Sequence, residues 1–595
     1  MTDTKTGRRA TGGRNTRRYV LAALGLVVLA LVVLAIFAYL KLTSARDDLN
    51  RASDDASQLQ DALTAGDQRS ARTELDQLQG NVHSAQSSLD SFVLSAAAKV
   101  PVLGKNVKAV RTVSSAVATV ADKGLPPLVD VADKFNAKTF NPKDGRVDVK
   151  ALSALTPSLT SSSHAIRSAN AEIQSVDASS LLSKLRNPVI DAQRKIGDAS
   201  SIATRADTAS RVVPRMLKGK HTYLLIFQNN AEIRATGGLP GAYAELKVDD
   251  GKITLGKQGA GAELGDRPTS ATSISAEERA LYTTKLVRDF RDVNFTPDFP
   301  RAAQIATAIL KEDKGLSFDG VLSLDPVTLS YLLEGTGPID LADGTQLTAD
   351  NAVEVLLNGT YVEFPDPDKQ DAFFAAATDQ IFDKVLSGAG DPTALLKSLT
   401  KATNERRISM WTRSKSVNEQ IAGSRLANQL PTGKDASPAL GFYLNDSTGA
   451  KMQYYLSSSV DGSSTKCTDA GQQTYKTEML LKSSAPADSA TLPESIRGPG
   501  FGAQPGSMLM NLNIYGPVGG KITSISFDGK KTPYFEQLKH EGRPVATVTI
   551  QVNPGQTVKV GANVVSGKDQ RGATEVSTTP SIVPGPSVQT WKSSC

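Results

Sequence analysis

Five segments with different patterns of apolar and polar residues follow one another along the 595-residue chain. An uninterrupted apolar run, 19–40, predicts a transmembrane helix, and heptad-like spacing of Leu and Ala over 41–215 predicts a helical stalk or bundle. Strand-like and helix-like stretches alternate over 216–395, which predicts a layered α/β domain. A helical connector, 396–435, then leads to short strand-like runs over 436–595, the pattern of a β-sandwich. The chain is therefore predicted to be a multi-domain protein.

The apolar run at 19–40 carries no charged residue. As a helix it would extend about 33 Å, enough to cross the hydrocarbon core of a bilayer. The preceding tail, 1–18, is rich in Lys and Arg, which predicts a cytoplasmic N-terminus. We therefore expect a single-pass protein of the cell membrane, with the bulk of the chain outside the cytoplasm. A cleaved signal peptide is the alternative, although no small-x-small cleavage site follows the run directly.

Leu and Ala recur at heptad spacing in two seams of the predicted stalk, one over 42–63 and one over 75–92. Asp67 lies between them, where it is placed to cap the second helix. Two antiparallel helices are the simplest interpretation, and further helical sequence runs over 158–210.

The densest polar chemistry lies at the end of a predicted core strand, Tyr223 to Phe227. The strand runs into two amides, a carboxylate and a guanidinium, and the glycines that follow would let backbone approach a ligand closely. Loops at strand ends often carry function, so this segment is predicted to bind a ligand. A structural Arg–Glu pair beside an ordinary turn is the alternative. The candidate ligand-binding residues are Asn229, Asn230, Glu232, Arg234, Thr236, Gly237 and Gly238, with Arg291 and Lys369 further along the chain.

An acidic stretch precedes the helix predicted over 301–312 and supplies Asp289, Asp292 and Asp298. Carboxylate oxygens are ligands that Mg²⁺ prefers, so these three form a candidate metal site. Helix capping by Asp298 or Thr296 is the alternative role. No other cofactor is indicated, and the sequence lacks the common motifs of serine hydrolases, nucleotide-binding loops and zinc proteases.

Charge and cysteine content narrow the class of protein. Most of the net charge of +6 is contributed by the 1–18 tail, and no basic stripe with interleaved aromatic residues follows. This distribution argues against a nucleic-acid-binding protein. The two cysteines, Cys467 and Cys595, have no neighbouring Cys or His at zinc-ligand spacing. Outside the cytoplasm they are expected to form one disulfide, with two free thiols as the alternative.

Several strings of the sequence together resemble an envelope-protein family known as a domain of unknown function, which is common in high-GC Gram-positive bacteria. These strings are NNAEIRATGGLPGAYAELKVDDGKI from Asn229 onward, the segment 292–300, FDGVLSLDPVTLSYLLEGTGPI from Phe318 onward, and LNGTY before Val362. The resemblance covers most of residues 150–595. It implies an N-terminal membrane anchor and no settled activity.

The order of elements is also distantly similar to that of the LytR–CpsA–Psr phosphotransferases, membrane-anchored enzymes that move glycopolymers from polyprenyl-pyrophosphate carriers to the cell wall. In that family a strand ends in a polar loop bearing an arginine, as 227–234 does here, and a later element looks like 319–341. The resemblance implies that Arg234 binds phosphate and that an Asp of the acidic stretch holds Mg²⁺. The chain departs from the family where 239–242 replaces an Arg-Ser-Asp group and where Lys369 stands for two arginines, so fewer cations are present.

Two functions remain open on the sequence. The first is a non-catalytic, membrane-anchored protein of the cell envelope that binds a glycan or acts as a scaffold in surface-polymer assembly. The alternative is a divergent phosphotransferase acting on polyprenyl-pyrophosphate-linked glycans. In either case the expected partner is a cell-wall glycan or its lipid-linked precursor. Because similarity of fold alone does not assign function, the first is favoured.

Overall fold

The computed structural model describes residues 51, 54–59, 61–62, 67–89, 103–134, 142, 144–431 and 436–595. The chain divides into two compact units, Met1–Asn136 with Lys150–Pro214, and Ala137–Val149 with Arg215–Cys595. The apolar run at 19–40 lies outside the described residues. Across the part of the chain that is described, no helix is both long enough and apolar enough to span a bilayer.

The first unit is helical, as its apolar spacing predicted. Its helices are α1 (Gln68–Leu89), α2 (Leu103–Thr119), α3 (Pro126–Lys134), α4 (Val149–Gln174) and α5 (Ser183–Leu217), with a π-helical turn at Val120–Gly124 and a 3-10 turn at Ala178–Ser180. Asp67 caps α1 as predicted, because its Oδ1 accepts hydrogen bonds from the backbone N–H groups of Arg69 and Ser70 at 3.2 and 3.1 Å. Leu78 and Val82 of the predicted seam pack against Ala118 and Ala121.

The second unit begins with a mixed sheet in the order β3-β2-β1-β4-β7. Its strands are β1 (Lys220–Arg234), β2 (Gly237–Asp249), β3 (Lys252–Ala260), β4 (Gly320–Leu324) and β7 (Ser409–Thr412), while β5 (Ile339–Asp340) and β6 (Gln346–Leu347) pair separately. β1 is antiparallel to β2 and parallel to β4. The prediction of a wholly helical connector over 396–435 was wrong, because this stretch contributes β7, which pairs with β4. Its short apolar run fits a helix and a strand equally well when it is viewed without its partner.

Helices cover both faces of this sheet, which gives the layered α/β arrangement expected from the sequence. Leu224 and Ile226 of β1 share a core with Ile309 of one helix, and Tyr223 packs near Phe382 of another. The helices are α6 (Ala276–Tyr282), α7 (Phe299–Lys314), α8 (Pro326–Thr336), α9 (Ala352–Glu354), α10 (Thr360–Glu363), α11 (Pro367–Leu386), α12 (Pro392–Asn404) and α13 (Lys415–Ile421).

Two further sheets follow in the same unit, in the orders β13-β12-β16-β10-β9 and β14-β15-β11-β8-β17-β18. Met479 of the first sheet and Leu512 of the second lie in one hydrophobic core, so the sheets face each other. The strands are β8 (Ala439–Asp446), β9 (Leu456–Cys467), β10 (Gln473–Ser483), β11 (Met508–Tyr515), β12 (Lys521–Phe527), β13 (Lys530–Lys531), β14 (Glu536–His540), β15 (Arg543–Val552), β16 (Thr557–Val565), β17 (Thr574–Thr578) and β18 (Val588–Trp591), with a short helix α14 (Glu494–Arg497).

Two features tie this C-terminal region together. Cys467 and Cys595 form the predicted disulfide, with their Cα atoms 5.0 Å apart. Ile233 of β1 and Tyr361 of α10 belong to the same core as the facing sheets. The mixed sheet and the two facing sheets therefore pack as one body around a shared interior.

Candidate functional site

The polar segment predicted as a loop is part of β1. The strand continues to Arg234, and its register with β2 shifts between Asn229 and Ile233, so the residues between them bulge out of the ladder. A Cβ on Gly238 would lie 2.3 Å from the carbonyl carbon of Asn229. The glycine pair therefore permits a close approach, as expected, but the group that approaches Gly238 is the chain's own backbone.

Amide side chains lock this hairpin. Gln228 Nε2 donates to Ser323 Oγ at 2.6 Å, while Gln228 Oε1 accepts from Asn294 Nδ2 at 3.1 Å and from the backbone N–H of Gly238 at 2.9 Å. Asn229 Nδ2 donates to Tyr361 Oη at 2.7 Å. These groups are buried and satisfy one another, which is the structural alternative that the sequence left open.

Arg234 is enclosed by acids. Its side chain is 6% exposed, and Nη2 lies 3.1 Å from Glu232 Oε1 and 3.2 Å from Asp292 Oδ1. The guanidinium carbon also lies 4.9 Å from the centre of the Phe295 ring. Burial alone would lower the pKa of Arg234, but the Glu232 and Asp292 carboxylates outweigh it and raise the pKa. Arg234 is thus a permanent, internally neutralised cation.

Asp446, at the end of β8, and the partly buried Lys451, in the turn that follows β8, complete this charge cluster. Lys451 Nζ lies 3.8 Å from Glu232 Oε2, and 4.7 Å from the centre of the Tyr361 ring. Burial, reinforced by the charge of Glu232, raises the pKa of the Asp446 carboxyl. No local sequence signal predicts that either residue belongs to this cluster, because both lie more than two hundred positions beyond Arg234.

Asn230 differs from its neighbours. Its side chain is buried, and neither its Oδ1 nor its Nδ2 has a hydrogen-bond partner among the described residues. Asn294 Oδ1 and Arg234 Nε share this property. Buried polar atoms of this kind are commonly satisfied by internal water. The unpaired atoms of Asn230, Asn294 and Arg234 therefore add polar groups to the interior beside the Arg234 ion pairs.

The three acids predicted to bind a metal have separate partners. Asp289 receives two side-chain hydrogen bonds from Arg291, at 2.9 and 2.6 Å, and Asp292 faces Arg234. Asp298 accepts from the backbone N–H of Leu430 at 3.1 Å. In the described regions no group of three or more His, Cys, Asp or Glu side chains is arranged to hold a metal ion. A common Mg²⁺ site therefore does not fit these residues, since arginine occupies two of them.

The outlying candidates fall into different surroundings. The pairing with Arg291 holds the pKa of Asp289 below its usual range even though burial opposes it. Lys369 is exposed on α11, and no contact of its side chain with Arg234 or Asp292 is seen. Thr236 Oγ1 donates weakly to Gln228 Oε1 at 3.4 Å, so Thr236 joins the amide network. The structure thus brings together Asn229, Glu232, Arg234, Thr236, Gly238 and Asp292, and Lys369 stays apart.

A polar cavity of about 630 Å³ lies where α6, the start of α7 and the β14–β15 turn meet. Thr296, Glu278 and His540 are buried members of its lining, while Glu277 and Glu541 are exposed. Asp298 is the one candidate residue from the sequence that lines it. The Ser275–Glu278 capping box that starts α6 is a visible sequence signal, but nothing local to His540 predicts that it meets this helix.

A chain of hydrogen bonds leads from His540 through two tyrosine hydroxyl groups behind the cavity. His540 Nδ1 is 2.9 Å from Tyr515 Oη, which is 2.6 Å from Tyr282 Oη. Burial lowers the pKa of His540, so its imidazole is neutral near pH 7. Burial, with the nearby Glu541 charge, raises the pKa of Asp298 to about 6. Polar groups with such shifted pKa values beside a cavity are typical of binding sites.

Comparison with known proteins places part of the chain in context. The pattern of a family described as "Protein of unknown function (DUF4012)" matches residues 218–361. The matched segment contains β1 with Arg234 and the three candidate acids. The match indicates a domain of unknown function in this part of the chain, and the family description names no activity. A search among curated proteins finds no match for the chain.

Proposed function

We propose that this protein is a membrane-anchored, extracytoplasmic component of the cell envelope with a non-catalytic role, binding a glycan or other ligand, or serving as a scaffold, in surface-polymer assembly. The apolar run at 19–40 would supply the anchor. The Cys467–Cys595 disulfide supports placement outside the cytoplasm, because such bonds persist in oxidising compartments.

The observation that carries the non-catalytic part is the closure of the Arg234 cluster. Arg234 is paired with Glu232 and Asp292 and is almost completely buried. A phosphotransferase needs cations that can reach a pyrophosphate and a metal ion beside them. Opening this cluster to a ligand would break the buried pairs of Arg234 with Glu232 and Asp292, and breaking a buried ion pair costs about 3–5 kcal/mol.

The alternative, a divergent phosphotransferase, requires the cations implied by the distant LytR–CpsA–Psr similarity. Arg291 is held by Asp289 in a two-pronged pair, and Lys369 is exposed without a described link to Arg234. These pairings favour a structural role for the polar segment at the end of β1. They leave the cavity beside Asp298 as the open polar site.

One experiment separates the two functions. The purified full-length protein in detergent is incubated with a polyprenyl-pyrophosphate-linked oligosaccharide, with Mg²⁺ and with EDTA, and released pyrophosphate or lipid phosphate is followed. We expect no cleavage above a boiled-protein control. Metal-dependent turnover by the unaltered protein would overturn the non-catalytic proposal without the need for any variant.

The envelope role is tested in cells. A strain that lacks the protein is compared with one that produces the full chain and one that produces a chain without 19–40. We expect altered amount or anchoring of a surface polymer, restored by the full chain alone. Unchanged polymer in the deletion strain, or full restoration by the chain lacking 19–40, would contradict the anchored envelope role.

A further inference from the structure

The cavity between α6, α7 and the β14–β15 turn contains more negative than positive side chains. Glu278 is balanced by Arg301, whose Nε lies 2.6 Å from Glu278 Oε1. Glu277, Asp298 and Glu541 also line the cavity. None of these three forms an ion pair with a described residue, so the pair of Glu278 and Arg301 leaves an excess of negative charge.

Each of these carboxylates keeps an oxygen atom for a ligand. Glu277 Oε2 accepts the backbone N–H of Glu541 at 2.9 Å, and Asp298 Oδ1 accepts that of Leu430. The backbone N–H of Arg301 also stabilises the Asp298 carboxylate. An ionised carboxylate has about four acceptor positions, so Glu277 and Asp298 each keep room for a further donor. The Glu541 side chain is exposed and accepts no hydrogen bond from the part of the chain that the structure describes. Three carboxylates with free acceptor positions thus surround one polar space.

His540 points to a ligand independently of these acids. Its side chain is 5% exposed and lines the cavity. Tyr515 occupies Nδ1, and no hydrogen bond to Nε2 is made by a described residue. A buried imidazole with one ring nitrogen unpaired beside a cavity can exchange a hydrogen bond with a hydroxyl group of a bound molecule.

We propose that this cavity binds a primary ammonium group carried by a small polar organic molecule, with Glu277, Asp298 and Glu541 as its counter-charges. An ammonium is a compact cation with three N–H donors, which matches three carboxylates that each hold a free acceptor. His540 and Gln304 supply hydrogen bonds for neighbouring hydroxyl groups. The cavity volume of about 630 Å³ is in the range of small-molecule sites.

The inference rests on the binding role proposed above and names the chemistry of the ligand. The ammonium belongs either to an amino sugar or to a lysine-like side chain, and these two sources share the recognised group. The charged and titratable groups around the space are Glu277 and Glu278 of α6, Asp298 and Arg301 at the start of α7, and His540 and Glu541 of the β14–β15 turn, with Tyr282 and Tyr515 behind His540.

Binding should depend on pH through Asp298, the member with the raised pKa of about 6. At pH 7 Asp298 is mostly ionised and attracts the ammonium. At pH 5 it is mostly neutral, while the ligand stays protonated, so one counter-charge is lost. A charge-assisted hydrogen bond of this kind corresponds to about a tenfold change in affinity.

The test uses the full chain in detergent and isothermal titration at pH 7.0 and 5.0. Glucosamine is the cationic sugar, and N-acetylglucosamine is its neutral counterpart. Nα-acetyl-lysine amide represents the side-chain source. Nα-acetyl-norleucine amide, which lacks the ammonium group, is its neutral counterpart. We expect at least one ammonium probe to bind about tenfold more tightly than its neutral counterpart. The probe that binds more tightly identifies the source.

Variants separate the cavity from general electrostatics. Glu541→Gln changes an exposed side chain and should not affect folding, and Asp298→Asn keeps an acceptor for Leu430. Each should weaken ammonium binding about tenfold at pH 7, and Asp298→Asn should make the affinity less dependent on pH than that of the unaltered protein. Glu536→Gln, on β14 five residues before Glu541 but outside the cavity lining, is the matched control and should leave affinity unchanged.

Three results would overturn the inference: equal binding of ammonium and neutral probes, binding of neither, or affinity that Glu541→Gln and Asp298→Asn leave unchanged. None of these results bears on pyrophosphate cleavage or on polymer anchoring. A failure here therefore removes the ligand class and leaves the envelope role to its own tests.

Discussion

Arg407 Nη1 lies 2.8 Å from Asp325 Oδ2, and this ion pair joins the loop before β7 to the start of α8. The same guanidinium lies 2.7 Å from Glu405 Oε2 and donates to the carbonyl groups of Ser581 and Val583 at 2.8 and 2.9 Å. One buried side chain therefore connects the mixed sheet, a helix cap and the C-terminal segment.

We expect Arg407→Met to destabilise the protein by about 3–5 kcal/mol, because it leaves Asp325 and Glu405 buried without a counter-charge. Urea unfolding followed by tryptophan fluorescence measures this loss. Lys415→Met is the matched control, since its pair with Glu419 is exposed, and it should change stability by less than about 0.5 kcal/mol. Equal effects of the two substitutions would show that the Arg407 cluster is not a stabilising contact.

The disulfide gives a second prediction. Cys467 and Cys595 are separated by 128 positions, and closing a loop of that size stabilises by about 4–5 kcal/mol in the chain-entropy view. Cys595→Ser should therefore lower the melting temperature of the C-terminal region. A reducing agent should lower that of the unaltered protein to the same value and leave the variant unaffected. A reductant effect on the variant would mean that the bond is not the cause.

Asp298 predicts a specific dependence of stability on pH. Its pKa is raised to about 6 in the folded protein, above the ordinary value near 3.8, so the folded state holds the proton more tightly. Folding is therefore favoured by this group at low pH, and the contribution is lost as pH rises from about 4 through about 6. Asp298→Asn should stabilise the protein at pH 7.5, by on the order of 1–3 kcal/mol, and should have little effect at pH 4.

Calorimetry of the two proteins across pH 4 to 7.5 checks the sign. Glu536→Gln, an exposed acid of β14, supplies the comparison and should show no such trend. A stabilising effect of Asp298→Asn that grows toward pH 4 would contradict the raised pKa.

Two glycines in different surroundings give a fourth prediction. In Gly238→Ala the new methyl group would meet the Asn229 backbone at 2.3 Å, so the hairpin end must shift and stability should fall by about 2–4 kcal/mol. Gly80 lies on the exposed side of α1 with nothing within 4 Å, and Gly80→Ala should stabilise its helix by about 0.5–1 kcal/mol. Thermal unfolding followed by circular dichroism compares them. Tolerance of Ala at 238 would show that the hairpin end is looser than described.

Local signals in the sequence predicted much of the secondary structure. Asp325 and Asp366 precede prolines at helix starts, and both accept hydrogen bonds from backbone N–H groups of the helices that follow. The apolar strands β11 and β15 belong to the strand-like runs recognised over 436–595. β9 was not, because LSSSVDGSSTKC is mostly polar and becomes a strand through its backbone pairing with β10.

The candidate site shows where such local signals stop. The sequence identified Glu232 and Arg234 as a polar pair. Tertiary packing adds a second partner to each of them, Lys451 for Glu232 and Asp292 for Arg234. It identified Asp298, but the cavity around it needs His540 and Glu541 from a distant turn. Whether a polar side chain is open to a ligand or enclosed depends on residues that are distant in the sequence, and the local pattern of apolar and polar residues does not identify them.

The position of β8 has a consequence for how the protein is made. β8 lies between β11 and β17, and its pairing with β17 is parallel. The first strand of this sheet along the chain is therefore hydrogen-bonded to one of its last two strands. Because a chain is synthesised from its N-terminus, β17 and β18 emerge after every other strand of that sheet. β8 must therefore wait with one edge unpaired until nearly all of the region has emerged, and we expect a dependence on holding chaperones during that interval.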